Sequence, residues 1–325
     1  RSTAVKLRFM IDPVAKPANY TSREGPAPKL ALSVEPALAG LRLDQALARL
    51  RPKESRSRLA RLVEEGAVLV DGERVRPRHK LRGGEQVEVT LVPRPEESAF
   101  QPEEIALDVV HEDDDVLVVA KPAGLVVHPG SGNWAGTMLN ALLHRVPALK
   151  GLPRAGIVHR LDKETSGLLV VAKHEAAMQD LVRQLQARTV KRTYLAIARG
   201  VMAGEGTVDA PIGRHPKQRT RMAVVPGGKP AVTHYRVRER FGAHALLECD
   251  LETGRTHQIR VHLASIGHPL EGDPVYGARG ARRLPRQALH AWKLAFIHPG
   301  TGKMVRFTAP PPEDFEALVE ALRSE

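Results

Sequence analysis

The chain has 325 residues, 42% of them hydrophobic, enough for one large core plus a smaller domain. Lysine and arginine number 49 against 37 aspartate and glutamate, and the isoelectric point is near 10.1, which favours a polyanionic partner where the charge is clustered. No apolar run approaches the roughly 20 residues that cross a bilayer. The first 30 residues lack the apolar stretch of a signal peptide, the single cysteine, Cys249, excludes an internal disulfide, and no Cys/His set has zinc spacing, so a cytoplasmic protein without a metal or membrane partner is expected.

Residues 1–30 carry Pro13, Pro17, Pro26 and Pro28 and read as a disordered extension. Residues 31–92 read as a compact unit. Apolar spacing over 43–50 predicts a helix, and Ser55 suits the N-cap of a second, running to about Glu65 and closed by Gly66. That second helix sets Leu59, Leu62 and Val63 on one face and Arg56, Arg58 and Arg61 around the other. Val68 and Val70 alternate into Asp71-Gly72, a hairpin signal. Arg74, Arg76, Arg78, His79, Lys80 and Arg82 follow with no acid among them. A charged face is often simply solvated, so charge by itself leaves both readings open. The proline-rich, acidic residues 93–104 read as a linker.

Over residues 105–325 short strands alternate with a few helices. Strands are expected at 105–110 and 116–120, on either side of an acidic turn whose Asp113, Asp114 and Asp115 look like a metal cluster only superficially. Helices are expected at 137–145, 175–188 and 313–323, the middle one with Met178, Leu181, Val182 and Leu185 on a core face. Strands at 193–198, 231–239 and 245–251 read as antiparallel. The class is α+β, a mainly antiparallel mixed sheet with flanking helices.

Residues 159–167, HRLDKETSG, form a polar segment between apolar Ile157-Val158 and residues 168–172, the kind of place where chemistry is displayed on a rigid frame. A lone loop aspartate is unremarkable by itself. The whole string, however, resembles the signature of the RluA family of RNA pseudouridine synthases, whose aspartate is the essential catalytic group. Other strings carry the same resemblance: DDVLVVAKP at 114–122 with GLVVHP at 124–129, RTYLA at 192–196, LETGRTHQIRVH at 251–262, GHPL at 267–270 and GDPVYG at 272–277. Residues 31–92 resemble the alpha-L motif first seen in a small-subunit ribosomal protein, S4. Residues 201–221, 228–237 and 286–291 are most similar to the RluD-like subgroup that acts on large-subunit ribosomal RNA, while the segment between Tyr276 and Arg286 is shorter than that subgroup's.

The resemblance implies a pseudouridine synthase catalytic fold over 105–325 and an S4-like RNA-binding domain before it. Its reaction breaks the C1′–N1 bond of a uridine, turns the base and rejoins it through C5, with no redox step, so no cofactor is expected. The carboxylate at or near C1′ is then Asp162. A buried carboxylate needs a cation to stay ionised. By resemblance that cation is Arg260, which spacing alone reads as a strand-surface arginine. Tyr194 matches a tyrosine beside the target base, where a core tyrosine is the plainer reading. The base must be flipped out at a cost of a few kcal/mol. Arg160, whose guanidinium stacks on bases and binds phosphate, matches the residue filling its place. His159 fits that job or a structural one.

Further RNA contacts are expected from Arg56, Arg58 and Arg61, and from the acid-free loop with Arg214, His215, Lys217, Arg219 and Arg221. Arg188, Lys191 and Arg192 adjoin Tyr194, and Arg279, Arg282, Arg283 and Arg286 form another cluster. The implied partner is large-subunit (23S) ribosomal RNA or a pre-ribosomal particle, acted on by a monomer, with the helix 69 interface hairpin as target. Rival readings are other ribosomal or transfer RNA uridines, a non-catalytic RNA-binding assembly factor, and a hydrolase releasing free uracil.

Overall fold

The central strands after residue 105 are buried at nearly every position, so both faces of one sheet are covered. The structure is a computed structural model that describes residues 29–52, 54–90, 99–130, 132–202, 204–277 and 283–325. The chain divides into two units between Arg94 and Pro95. The extension read over 1–30 falls outside the described residues up to residue 28, as do residues 93–98 of the linker.

In the first unit, β1 (Lys29–Ser33), α1 (Leu43–Leu50), α2 (Arg56–Glu64), β2 (Val68–Val70), β3 (Glu73–Arg74) and β4 (Gln86–Thr90) follow in order. The strands form an antiparallel sheet in the order β1-β4-β2-β3. Leu43, Leu47, Leu59, Leu62 and Val63 of the helices pack with Val68, Val70, Val87 and Val89 of the sheet. Ser55 caps α2 by accepting the Arg58 N–H. Asp71 and Gly72 both take positive φ (50° and 81°), as a two-residue hairpin turn requires. Beyond β3 the cation-rich segment is irregular, and Arg74, Arg76, Arg78, Lys80 and Arg82 are exposed.

The α2 arginines are differently placed. Arg56 donates to the buried Asp44 at 2.8 and 3.0 Å, and Arg42 grips the same carboxylate. Burial alone would raise the Asp44 pKa, but these two guanidinium groups outweigh it and hold it low. Arg58 lies 3.3 Å from Glu54 and Arg61 2.8 Å from Glu65. Each α2 arginine therefore has a carboxylate partner within the protein.

The second unit is built on β5 (Asp108–Glu112), β6 (Val116–Lys121), β7 (Ser166–Ala172), β8 (Lys191–Arg199), β9 (Glu205–Asp209), β12 (Val232–Phe241), β13 (His244–Leu251), β14 (Leu289–Ile297) and β15 (Met304–Thr308). Their order is β5-β6-β7-β14-β8-β13-β12-β9, with β15 paired to the far half of β14. Only the β7–β14 pair is parallel. β10 (Ile212–Arg214) and β11 (Met222–Val224) make a separate two-stranded ribbon. On one face Leu117, Val119, Leu169, Val171, Tyr194, Ala196, Leu247 and Cys249 meet α3 (Met138–Arg145) and α5 (Gln258–Ser265). On the other, Val116, Val118, Leu168 and Val170 meet α4 (Glu175–Gln186), and Leu195, Ile197 and Leu246 meet α6 (Glu313–Arg323). No described helix is long and apolar enough to cross a membrane.

One lateral row crosses the sheet through Lys121, Gly167, Ala291, Tyr194 and Cys249. At its parallel step a Cβ on Gly167 would sit 2.2 Å from the Ala291 carbonyl oxygen, so only glycine fits. Two expectations need correction. β5 starts at Asp108 and runs through Glu112, which shortens the acidic turn. Arg260 is not on a strand but in α5. The chain leaves extended structure because His257 adopts φ 57° and Gln258 stitches the turn, accepting from Thr253 and the Arg255 N–H while donating to the Val232 carbonyl.

The loop after α5 is anchored by Glu271, whose fully buried carboxylate accepts from Arg199 (2.5 Å), His244 (3.1 Å) and the Arg283 N–H (2.9 Å). Burial would raise its pKa, yet these donors pull it down to about 2. A folded-state pKa below the unfolded value means that the stabilisation is present above pH 4.5 and is lost as pH falls toward 2. Glu271→Gln should therefore cost about 3 kcal/mol at pH 7. Urea denaturation of both proteins checks this, and the difference should shrink below pH 4.5.

Candidate active site

Asp162 sits four residues before β7, in a loop sewn down from below. Lys121, only 2% exposed, donates its three ammonium protons to the carbonyls of Pro122, Leu125 and Lys163 at 2.8, 3.0 and 2.9 Å. Burial drives the Lys121 pKa down to about 7, although Glu164 and Asp162 pull it upward. The Asp162 carbonyl accepts the Thr165 N–H at 3.0 Å, Gln287 donates to the Thr165 hydroxyl, and Arg286 reaches the Glu164 carbonyl. The loop that presents Asp162 is thus fixed at both ends.

Arg260 projects from the first turn of α5 and is 4% exposed. Its Nε and Nη2 donate to the two oxygens of Asp273 at 2.7 and 3.0 Å, a bidentate pair, and Nη1 donates to Asp162 Oδ2 at 3.1 Å. Asp273 is itself aimed by the Val275 and Tyr276 N–H groups, both donating to Oδ1. Burial would lower the Arg260 pKa, but the two carboxylates outweigh it and raise it. The other Asp162 oxygen lies 3.9 Å from His257 Nε2. His257 Nδ1 is hydrogen-bonded to Tyr276 Oη at 2.9 Å, and that oxygen also accepts the Met222 N–H.

Of these groups Asp162, His257 and Arg260 line a cavity of about 790 Å³, together with Tyr194, His128, His159, Arg160 and Arg192, while Asp273 stands behind Arg260. That volume suits a nucleotide-sized ligand. Tyr194 is 7% exposed, and burial raises its pKa, so the phenol keeps its proton at neutral pH. The arrangement offers one carboxylate oxygen to a ligand while Arg260 holds the other, beside an aromatic wall.

The profile of the RNA pseudouridylate synthase family matches residues 115–265, and that of the S4 domain matches residues 41–87. Over 301 residues the chain is 57% identical to the ribosomal large subunit pseudouridine synthase D of Nitrosomonas europaea, covering 90% of this chain and 88% of the relative. The protein of that name from Neisseria meningitidis serogroup A is 53% identical over 320 residues, covering 95% and 86%. The chain belongs to the RNA pseudouridylate synthase family. Among solved structures, human RNA pseudouridylate synthase domain containing 4 is similar, with a TM-score of 0.53 at 28% identity over 66% of this chain and 93% of that one. The protein is an RNA pseudouridine synthase.

The synthase brings Asp162, Tyr194, Arg260, Arg160 and His159 to one cavity. His159 is committed on one side, since its Nε2 accepts the Val170 N–H at 3.1 Å. Burial and the nearby Arg192 charge push its pKa down to about 3, so it is neutral. Arg214, Lys217 and Arg219 are exposed between β10 and β11. Arg221 is not free: it lies 5.3 Å over the Tyr276 ring and donates to the carbonyl of Val275. Arg286, grouped by sequence with an arginine cluster, is buried and clamped by Asp314 at 2.6 and 2.7 Å. Arg279 and Arg282 lie outside the described residues.

Sequence reading missed Asp273, His257 and Lys121 as site-building residues. The D-P-x pattern of an aspartate accepting its own downstream amides was the available signal for Asp273. His111, Asp113 and His298 also come together as a metal set would. His298 Nδ1, however, accepts the Gly300 and Thr301 N–H groups, so Nε2 carries the proton and donates to Asp113 at 2.8 Å. A metal would need that lone pair.

Removing the charge of Asp273 should free the Arg260 fork and let the Asp162 carboxylate drift. Asp273→Asn is expected to lower kcat about 10- to 100-fold, in line with losses seen when groups that orient an active ligand are removed. RNA affinity should stay within about threefold. Steady-state kinetics with a filter-binding control measures both, and an unchanged kcat would refute the clamp's role.

Proposed function

We propose that this synthase isomerises uridine to pseudouridine in large-subunit ribosomal RNA, with the helix 69 interface hairpin as its target, and that Asp162 is the carboxylate acting at the ribose. The observation that carries the chemical assignment is the buried Arg260 bridging Asp162 and Asp273 at the floor of a cavity walled by Tyr194. The substrate rests on the names of relatives more than 50% identical over nearly the whole chain.

The sequence of events follows from the groups present. Arg160, exposed at the rim, fills the space left as the uridine leaves its stack. Tyr194 packs against the base. Asp162, held by Arg260, acts at or near C1′ as the C1′–N1 bond breaks. The uracil turns, C1′ bonds to C5, and the proton displaced from C5 ends on N1. Atoms balance with no external reactant.

Holding the RNA falls to the first unit. Arg56, Arg58 and Arg61 must share their charge with Asp44, Glu54 and Glu65, whereas Arg76 and Arg78 have no carboxylate partner among the described residues. Phosphate neutralisation should therefore come first from the segment after β3. The log–log salt slope of RNA binding should fall by about 1 to 2 in Arg76→Gln/Arg78→Gln and by less than about 0.5 in Arg58→Gln/Arg61→Gln. Equal slopes for the two pairs would reverse that ranking.

The central test is pseudouridine mapping on unmodified large-subunit RNA and on assembled subunits. The wild-type protein should create pseudouridine in the interface hairpin, and Asp162→Asn none, with RNA affinity within about threefold of wild type. Modification elsewhere would keep the enzyme and discard the target. Activity surviving in Asp162→Asn would discard the assignment of the carboxylate.

A further inference from the structure

Arg192 presents a buried cation with no counter-charge among the described residues. It lies on β8 two residues before Tyr194, so both side chains leave the same face of the sheet, and both line the cavity. It is 8% exposed. Its Nε has no hydrogen-bond partner, and its one bond is a long contact of 3.4 Å from Nη2 to the Glu252 carbonyl oxygen. The Glu252 carboxylate is not available, being held by Arg188 at 2.9 Å and His234 at 2.8 Å. Asp162 is held by Arg260. The neighbouring His159 and Tyr194 are neutral.

A guanidinium stays charged when buried, and burying it without an anion is unfavourable. The fold keeps one here, aimed into the cavity that receives the nucleotide. We infer that Arg192 is the ligand of a backbone phosphate flanking the flipped uridine, an anion-binding subsite that completes its charge pairing only when RNA is bound. The inference rests on the reading of Asp162 as the reacting carboxylate, which puts the target nucleotide in this cavity. Uracil itself is neutral and would leave the cation uncompensated, whereas a phosphodiester brings a full charge and oxygens matched to the guanidinium fork. The phosphate would also fix the ribose relative to Asp162, because it is covalently joined to that sugar.

Gly254 supplies an independent handle. A Cβ there would meet Arg192 Nη1 at 2.7 Å, the mobile end of a flexible side chain. Gly254→Ala therefore shifts the guanidinium without removing its charge.

The experiment is a cycle of enzyme variant against RNA linkage. Synthetic substrate RNA carries a neutral methylphosphonate at the linkage 5′ or 3′ to the target uridine. Wild-type kcat/KM should fall about 30-fold with one of the two, as for loss of a charge-assisted hydrogen bond. Arg192→Met on ordinary RNA should fall by a similar factor, and the variant with the neutral linkage should fall little further. Arg192→Lys and Gly254→Ala should retain part of the sensitivity. Losses that multiply in the cycle, or a wild type indifferent to both linkages, would overturn the inference. If the wild type converts no uridine even in ordinary RNA, the functional reading fails and this one with it. Without RNA, Arg192→Met should melt at the same temperature or a few degrees higher, since an uncompensated cation has been removed. A sharp drop would mark Arg192 as structural and refute the proposal.

Discussion

A single buried guanidinium balances two carboxylates at the floor of the cavity, and the rest of the site depends on that division. Arg260 gives one edge of its planar fork to Asp273 and its remaining nitrogen to Asp162. The bidentate edge leaves the guanidinium no freedom to rotate, so the position of Asp162 Oδ2 is inherited from Asp273. Asp273 in turn takes its position from two backbone amides of its own turn. The clamp fixes the orientation of the Asp162 carboxylate.

The sheet makes this local arrangement possible. β7, β14 and β8 lie side by side, and the row through Gly167, Ala291 and Tyr194 sets the start of β7 beside the middle of β8. Asp162 enters from the loop before one strand, Tyr194 stands on the next but one, and α5 crosses the same face with Arg260. Lys121, in the same lateral row, turns a charged side chain inward and uses it to tie three carbonyls. A buried ammonium is unfavourable by itself, and here it is fully hydrogen-bonded in exchange for a rigid loop under Asp162. His257 adds a second departure from relaxed geometry, a non-glycine residue at φ 57° whose ring links Tyr276 and the β10–β11 ribbon to the neighbourhood of Asp162. Backbone of this kind persists where the surroundings over-determine it.

Charge is distributed by pairing rather than by count. The excess of basic residues invites a picture of uniformly RNA-facing arginines, but several are consumed inside the protein. Arg56 is held by Asp44, Arg286 by Asp314, and Arg221 by the Tyr276 ring and the Val275 carbonyl. Among the described residues, the segment after β3, the tip of the ribbon and the cavity rim are places where exposed arginines stand without a carboxylate.

Much of this protein was legible in its residues. Short apolar runs locate β6, β8 and β13, partial alternation locates β12, and period-3.6 patterns locate α4 and α6, because local patterning records which sides of those segments are buried. The 159–167 string and its companion blocks identify the family and the residues that meet in the cavity, since motif chemistry survives as sequence. Three things belonged to the tertiary structure alone. Residues 258–262 alternate like a strand, and only the Gln258 stitch and the left-handed His257 turn them into a helix that buries Arg260. Which arginines are free depends on carboxylates as distant in sequence as Asp44 from Arg56 and Asp314 from Arg286. The burial of Arg192 without an anion among the described residues is a property of the space around it. Patterning along a chain records which side faces the core, whereas charge compensation is a sum over neighbours, and neighbours exist only after folding.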